Sequence, residues 1–422
     1  KMMNDNLEVF ALCGSGVSQE KLESIGIQDM DLAIAVTKHD EVNILCCLMA
    51  SCYGVPKLVA RVKNPEFVER NAILNKDNVG IDLFINSTNI IVEMIDRLIE
   101  VPGCTDVAYV GDGSIQVRGF DLEEGSRLVD KTIREVRKEL AEDAFSIMAV
   151  TVDGHTFLPT GDHVLAIDQR ILVLLSTSSL AMFLPLLHRK QVETRKVVLF
   201  GASDTSMALA QRLEEKYEQV ILLELSKEKC ERAAKTLQKT LVLNGNALEK
   251  GTLQEILIET VDFFLCLSED DERNFMAAMM ARQYGAKRTV VLTEKPEYLE
   301  ILDKSDIDII INPRLITVGK ILQFLRRGKL LSAAKLIEGE AEVLEYLVED
   351  DSPITGKKIK ALRQKKLLPE GCRVAAIIEE GIMIIPNGET SIKAGQRLVI
   401  FALPESLEQV QNLFSGKKWK LV

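Results

Sequence analysis

Histidine is scarce in this chain, with four in 422 residues, tryptophan occurs once, and none of the eight cysteines belongs to a Cys-x-x-Cys pair. Scarce histidine with irregular cysteine spacing removes the usual ligand patterns for zinc and other transition metals. Several cysteines sit inside apolar runs such as Phe263-Phe264-Leu265-Cys266-Leu267, as the reduced core residues of a cytosolic protein do. No window holds the ~20 uninterrupted apolar residues that a spanning helix needs. The nearest, Ile171 to Leu187, is broken by Ser176, Thr177, Ser178, Ser179 and Pro185 and reads as a strand followed by a short apolar helix. No signal-peptide pattern opens the sequence. Positive charge is also in deficit: Lys+Arg 52 against Asp+Glu 63 gives a net charge of −11 and a pI of about 5.2, which disfavours long contact with nucleic-acid phosphates or anionic lipid headgroups. The best local basic patch is Arg326-Arg327-Gly328-Lys329 with Lys335, and its simpler reading is a solvated helix end.

What is present is apolar and repetitive. Hydrophobic residues make up 47% of the chain, enough to fill the cores of roughly two to four domains at this length. Laid on itself, the sequence repeats. Asp31-Leu-Ala-Ile-Ala-Val-Thr37-Lys-His-Asp40-Glu41-Val-Asn43 matches Asp262-Phe-Phe-Leu-Cys-Leu-Ser268-Glu-Asp-Asp271-Glu272-Arg-Asn274 at a shift of 231 residues, and Lys63-Asn64-Pro65-Glu66-Phe67 meets Glu294-Lys295-Pro296-Glu297-Tyr298 at the same shift. Ile81 to Asn86 meets Ile307 to Asn312 at 226, and Gly154, Pro159, Gly161, Gln169 and Arg170 recur as Gly381, Pro386, Gly388, Gln396 and Arg397 at 227.

Each half therefore contains two kinds of module in the same order. The first alternates short β-branched apolar strands with amphipathic helices, which implies a parallel sheet covered on both faces; in the second copy the expected strands are Lys196–Phe200, Gln219–Glu224, Thr240–Leu243, Asp262–Leu267, Thr289–Leu292 and Ile307–Ile311. The second kind has short strands, one small helix and tight turns at Val152-Asp153-Gly154 and Glu379-Glu380-Gly381. The expected fold class is α/β, with two Rossmann-like parallel-sheet domains at 1–101 and 189–328. Each is followed by a small β-rich mixed α+β domain, at 102–188 and 329–422. Repeat arithmetic leaves the first copy short by roughly thirty-five to forty residues that would carry a strand, glycine loop, helix and second strand. The natural chain is expected to have them, because a parallel sheet lacking its first strand leaves its neighbours unpaired.

The motifs Ile34-Ala-Val-Thr-x-x-Asp40-Glu41-x-Asn43 and Lys63-x-Pro65-Glu66-Phe67, with the doubled β-rich tail, resemble the regulator-of-potassium-conductance family. The tandem arrangement is most similar to the cytosolic subunits of bacterial Trk potassium uptake systems. The resemblance implies a non-enzymatic regulatory subunit, cytoplasmic and peripheral on the inner face of the plasma membrane. It implies a homo-oligomeric ring, four chains or an equivalent count of modules, beneath a membrane-embedded potassium transporter subunit. It also implies binding of NAD(H), and of ATP or ADP, with gating of the transporter as the outcome.

In a dinucleotide fold the pyrophosphate lies over the first loop and helix N-terminus, and a carboxylate after the second strand holds the ribose. Gly201 supplies the tight turn after Val197–Phe200, followed by Ala202, Ser203 and Thr205; Ser203 and Ser206 stand where the second and third glycines of Gly-x-Gly-x-x-Gly would be, and Asp204 adds negative charge. The second copy thus reads as a degenerate site. Glu224, 23 residues after Gly201, is either a ribose ligand or an exposed strand-end carboxylate. By family position the other candidate binding residues are Gly245, Asn246, Ser268 and Glu269 in the second copy, and Gly14, Ser15, Thr37, Lys38 and Arg61 in the first. Thr37 either donates to a ribose or phosphate or caps the following helix, whose first turn Asp40 and Glu41 favour.

The alternative class is an NAD-dependent oxidoreductase, which needs a proton carrier beside a substrate pocket. His39, His155, His163 and His188 fall in loops, near turns or in a linker and form no plausible triad. A nucleic-acid module is opposed by the acidic balance and by the lone Trp419. Ile90–Ile99 and Leu315–Leu325 are expected as exchanged or packed interface helices, with ordinary core helices as the alternative. Leu180–Leu187, more apolar than its repeat partner Pro404–Phe414, is expected to pack between the two halves, so that Met182→Asp or Leu184→Asp would loosen the assembly.

Overall fold

The computed structural model describes residues 9–64, 67, 79–101, 104–110, 115–139, 145–187, 194–303, 305–325, 330–335 and 341–414. Pro65, Glu66, His188, Arg326–Lys329, the Lys335 side chain and Trp419 lie outside the described residues. The chain divides into two compact units, Lys1–Ile91 with Pro313–Phe324, and Val92–Asn312 with Leu325–Val422.

The first unit carries a parallel sheet of β1 (Ala33–Ala35), β2 (Leu58–Arg61) and β3 (Leu83–Ile85) in that order, with helices α1 (Gln19–Ser24) and α2 (Asp40–Cys52). Its core gathers Leu22, Ile27, Ile44, Cys47, Leu58 and Ile81. These strands are the repeat partners of β12 to β14 described below. Ile34 and Val36 are 39% and 44% exposed, whereas their counterparts Leu265 and Leu267 are buried, because β12 has a strand on its outer side and β1 has none among the described residues. Residues 9–12, partners of 240–243, form no strand, and Phe10 is 80% exposed.

From β3 the chain enters α3 (Ser87–Glu100), whose later residues belong to the second unit. There Ile95 and Leu98 are fully buried, and Asp96, 1% exposed, accepts from Arg212 and, at 2.8 Å, from Lys216. A buried carboxylate with two cationic partners holds this helix in place, since losing both partners would leave its charge desolvated. The antiparallel sheet that follows comprises β4 (Cys104–Val110), β5 (Ile115–Asp121), β6 (Phe145–Val152), β7 (His155–Phe157) and β8 (Arg170–Ser176) in the order β4-β5-β8-β6-β7. It is covered by α4 (Ile133–Glu139) and α5 (Thr177–Phe183).

The second parallel sheet is complete. Strands β9 (Lys196–Phe200), β10 (Gln219–Glu224), β11 (Leu241–Asn244), β12 (Phe263–Cys266), β13 (Thr289–Leu292) and β14 (Ile309–Ile311) run in the order β11-β10-β9-β12-β13-β14. That is the doubly wound 3-2-1-4-5-6 arrangement, whose switch point lies beyond β9. The intervening helices are α6 (Asp204–Leu213), α7 (Lys227–Thr236), α8 (Lys250–Glu255), α9 (Asp271–Gln283) and α10 (Leu299–Asp303). Helix α11 (Pro313–Leu325), which follows β14, is counted almost wholly in the first unit, where Lys57 Nζ sits 5.5 Å from the Phe324 ring centroid. The helix after the last strand of each parallel sheet is thus given to the other unit. Leu315, Val318 and Leu322 on α11 are 45–49% exposed, so of the two expected interface helices one is buried within the chain and the other shows an open apolar stripe.

The last sheet, β15 (Leu330–Lys335), β16 (Glu342–Leu347), β17 (Cys372–Glu379), β18 (Ile382–Ile384) and β19 (Arg397–Ala402), repeats the earlier order as β15-β16-β19-β17-β18, with α12 (Ile359–Gln364) and α13 (Leu407–Phe414). Within the second unit the two small sheets share one core that includes Val117, Leu172, Leu174, Val343, Val399 and Phe401. Arg373 crosses it to donate to the carbonyls of Ile147, at 3.1 Å, and Pro159.

The Leu180–Leu187 segment does not lie as the sequence suggests. Phe183 packs on Phe120 and Phe145 at centroid distances of 5.7 and 5.1 Å. The Leu186 carbonyl accepts from Ser126 Oγ at 3.2 Å and Arg127 N at 2.8 Å. A short 3-10 helix spans Leu184–Leu187, and the segment seals the first small domain's own core; Leu184 is 9% exposed and Met182 56%. Leu184→Asp should therefore destabilise the fold by about 2 kcal/mol or more through a buried charge, while Met182→Asp leaves the urea midpoint unchanged. Equal effects of the two would refute the placement. Leu257 offers a second check: it holds φ +50° at a 54% exposed site where its repeat partner Gly26 holds φ +68°. Leu257→Gly should raise stability by about 0.5–1 kcal/mol by relieving left-handed strain, seen as a higher urea midpoint; a lower one would show that the leucine side chain matters more than its backbone.

Candidate functional site

At the switch point, β9 ends and the chain turns at Gly201, φ +93°. A Cβ there would lie 2.4 Å from Ser268 Cβ and 2.5 Å from Ser268 Cα, so the loop after β12 rests directly on the glycine and no other residue fits. Ser203 caps α6, accepting from Ser206 N at 3.2 Å, and its hydroxyl donates to the Leu267 carbonyl at 2.6 Å. Serine thus gains a structural bond across the switch point where a glycine would have left room for phosphate. Thr205 lies partly buried in the first turn of α6.

Glu224, at the end of β10, is not the exposed strand-end carboxylate that was one of its two readings. It is 8% exposed, and its carboxylate accepts from Ala202 N at 2.7 Å through one oxygen and from Ser226 N at 2.7 Å through the other. Strand-end amides left open by the turns after β9 and β10 have drawn the nearest carboxylate inward. The Glu224 carbonyl accepts from Gly245 N at 3.0 Å and Asn244 Nδ2 at 3.0 Å, and a Cβ at Gly245 would meet Thr252 and Leu223 at 2.8 and 2.9 Å. Gly201, Ala202, Ser203, Glu224, Gly245 and Ser268 thus form one connected cluster. Asn246 and Glu269 stand at its margin: Asn246 Oδ1 accepts from Leu248 N at 3.1 Å, and Glu269 pairs with Lys229 at 3.1 Å.

In both copies the loop after the fourth strand is held by a buried asparagine. Asn274 Oδ1 accepts from Ser268 N at 2.9 Å and Ser268 Oγ at 2.6 Å, while its Nδ2 donates to the carbonyls of Ser268 and Leu292 at 2.9 and 3.0 Å. Asn43 does the same in the first sheet, with Thr37 N, Thr37 Oγ1, the Thr37 carbonyl and the Arg61 carbonyl at 2.8, 2.7, 3.0 and 2.8 Å. Thr37 is therefore a loop lock, and the residue at the N-cap of α2 is His39. Asp40 and Asp271 complete the motif: Asp40 accepts from Lys63 N and Asn64 N at 2.9 and 2.8 Å, Asp271 from Lys295 N at 3.0 Å. Each of these four residues bonds a main-chain atom at or just past the end of the next strand, a partner that the repeated pattern in the sequence did not name.

The first module differs from the second in what is left unpaired. Arg61, on the last position of β2, has its Nε buried without a hydrogen-bond partner, and Lys38 beside Thr37 is exposed. Gly14 and Ser15 lie in an exposed segment before α1, where the Ser15 carbonyl accepts from Ser18 N at 3.1 Å. His39 and His155 are exposed and His163 pairs with Gln169 at 3.3 Å; burial pushes the thiols of Cys230 and Cys266 up, so neither is poised as a thiolate. Among the described residues no group of three or more His, Cys, Asp or Glu is placed to hold a metal, and no helix is long and apolar enough to cross a membrane.

Comparison with known proteins places these modules. The TrkA-N domain matches residues 2–87 and 197–313, and the TrkA-C domain matches 117–188 and 343–415. The chain belongs to the TrkA family. The Trk system potassium uptake protein TrkA of Haemophilus influenzae is 30% identical over 407 residues, covering 95% of this chain and 88% of that one; its namesake in Azorhizobium caulinodans is 27% identical over 419, covering 98% and 91%. Among solved structures, the GsuK RCK domain superposes with a TM-score of 0.60 at 20% identity over 99% of this chain and 87% of that one. The GsuK channel bound to NAD gives 0.59 at 19%, over 99% and 72%. The TrkA-N domain is a dinucleotide-binding fold, present here twice.

Each buried asparagine makes four bonds, and its loss strands loop and strand-end groups together. Asn43→Ala and Asn274→Ala should each cost about 2–4 kcal/mol, read from urea unfolding, with the loop after β1 or β12 loosened in the corresponding variant. A loss below about 1 kcal/mol in both would mean that the loops hold without them.

Proposed function

We propose that this chain is a nucleotide-binding regulatory subunit that gates a membrane potassium transporter, and that its regulatory ligand, NAD(H) or an adenine nucleotide, is taken by the first module. The observation that carries this reading is Arg61: a buried guanidinium nitrogen with no partner, at the carboxyl end of a parallel strand where such folds bind their ligands. A phosphate or ribose oxygen would satisfy it, and exposed Lys38 adds a second cation on the same edge of the sheet. The tandem TrkA-N and TrkA-C organisation, the name of the relatives and the NAD of the channel with the same fold support the same reading.

Ligand would act by binding one arrangement of the assembly better than another. The ligand would bear on the Thr37–Asn43 lock and on Arg61, which share strand ends through the Arg61 carbonyl. A shift of those loops relative to α3 and the small domains is the motion offered to the transporter. The assembly is a ring of chains at the inner face of the membrane.

Calorimetric titration of the full chain with NADH, ATP and ADP tests this. Arg61→Ala should weaken binding roughly 10- to 100-fold, the range for one charged hydrogen bond, with Arg61→Lys between it and the native chain, and potassium uptake in cells relying on this subunit should lose its nucleotide response. Unchanged affinity in Arg61→Ala would reject the first-module assignment.

A further inference from the structure

We infer that the second module's cleft is internally ligated: the Glu224 carboxylate serves as a permanent anionic ligand of the loop after β9, so this copy takes no nucleotide and acts as a closed structural counterpart of the first. Four features of the site carry this. Both carboxylate oxygens are engaged by main-chain amides, Ala202 N and Ser226 N, at 2.7 Å each, and the residue is 8% exposed. Each oxygen could accept a second bond, but at 8% exposure a ribose would reach it only if the loop after β9 moved. The crevice between β9 and β12, where the ligand would enter, has Gly201 in contact with Ser268, and Ser203 Oγ bridges it to the Leu267 carbonyl. Lys229 on α7 and Glu269 on the opposite loop close the margin with an ion pair at 3.1 Å. Asp204, exposed at the start of α6, places a further negative charge at the helix end that would face a pyrophosphate.

The closure also fixes α6 at both ends. Its first turn is tied through Ser203 and Ala202, and its last turn through Arg212 to buried Asp96 on α3. A helix held in this way offers no free movement to a ligand at its N-terminus.

This inference rests on the proposed function only in using a nucleotide as its probe, and peptide-resolved hydrogen exchange on the full chain separates the two. In the ligand-free native protein the segment 201–207 should exchange slowly. Glu224→Ala should accelerate it at least tenfold while the segments around Asn43 and Arg61 are unchanged, and Glu224→Gln, which keeps one acceptor oxygen, should lie between. Saturating NADH should slow exchange at 35–44 and 58–64 and leave 201–207 as it was. Protection of 201–207 by NADH, or native exchange rates there in both Glu224 variants, would overturn the inference. If NADH protects neither region, the nucleotide reading fails and the Glu224 variants still decide this one; if Glu224→Ala does not fold, Glu224→Gln carries the comparison.

Discussion

One buried carboxamide at the carboxyl end of each parallel sheet, Asn43 in the first and Asn274 in the second, sets the geometry on which the rest relies. A parallel sheet ends in a row of amides and carbonyls that no next strand satisfies, and in a ligand-binding fold these groups must be positioned without water doing the work. Asparagine suits the task because its amide presents a donor pair and an acceptor in one plane. It therefore bonds one loop through its main chain and hydroxyl and, on its other side, the end of the neighbouring strand. Asp40 and Asp271, three residues earlier on the same helix, extend the grip to the following loop.

The repeat made much of this legible. The matches between residues 31–43 and 262–274, and between the two glycine-marked tails, already specified two parallel-sheet modules and two small β-rich ones, and the strands of the complete copy fall within a residue or two of where the apolar runs place them. What the pattern could not express is which atoms a polar residue serves. A Thr-x-x-Asp-x-x-Asn motif looks the same whether it binds a ligand or the chain's own backbone. Glu224 sits at the ribose position, and one of its partners is the amide of Ala202, 22 residues away, a neighbour that exists only once β9 and β10 have paired. The exchange of α3 and α11 was one of two readings of their apolar segments, and the sequence left both open because a helix buries the same apolar stripe whichever body it packs against.

The two copies have diverged in electrostatic completeness more than in architecture. In the second, strand-end amides, serine hydroxyls and the rim lysine all have partners drawn from the chain itself. In the first, a buried guanidinium nitrogen has none. If one copy binds no ligand, its fold stays intact where internal groups take over the ligand's hydrogen bonds, because the penalty of an unsatisfied buried amide is removed whatever supplies the acceptor.

The exchange of terminal helices also orders events during synthesis. The first unit includes Pro313–Phe324, more than two hundred residues beyond Ile91. At about 5–20 residues per second on the ribosome, its sheet and α2 wait roughly ten to forty-five seconds for the helix that completes them. During that interval the surface later taken by α11 stands open on a nascent chain. A duplicated protein of this design cannot finish its first half before most of its second is made, and its exposure to chaperones and to pairing with neighbouring nascent chains is set by the reading order of the gene.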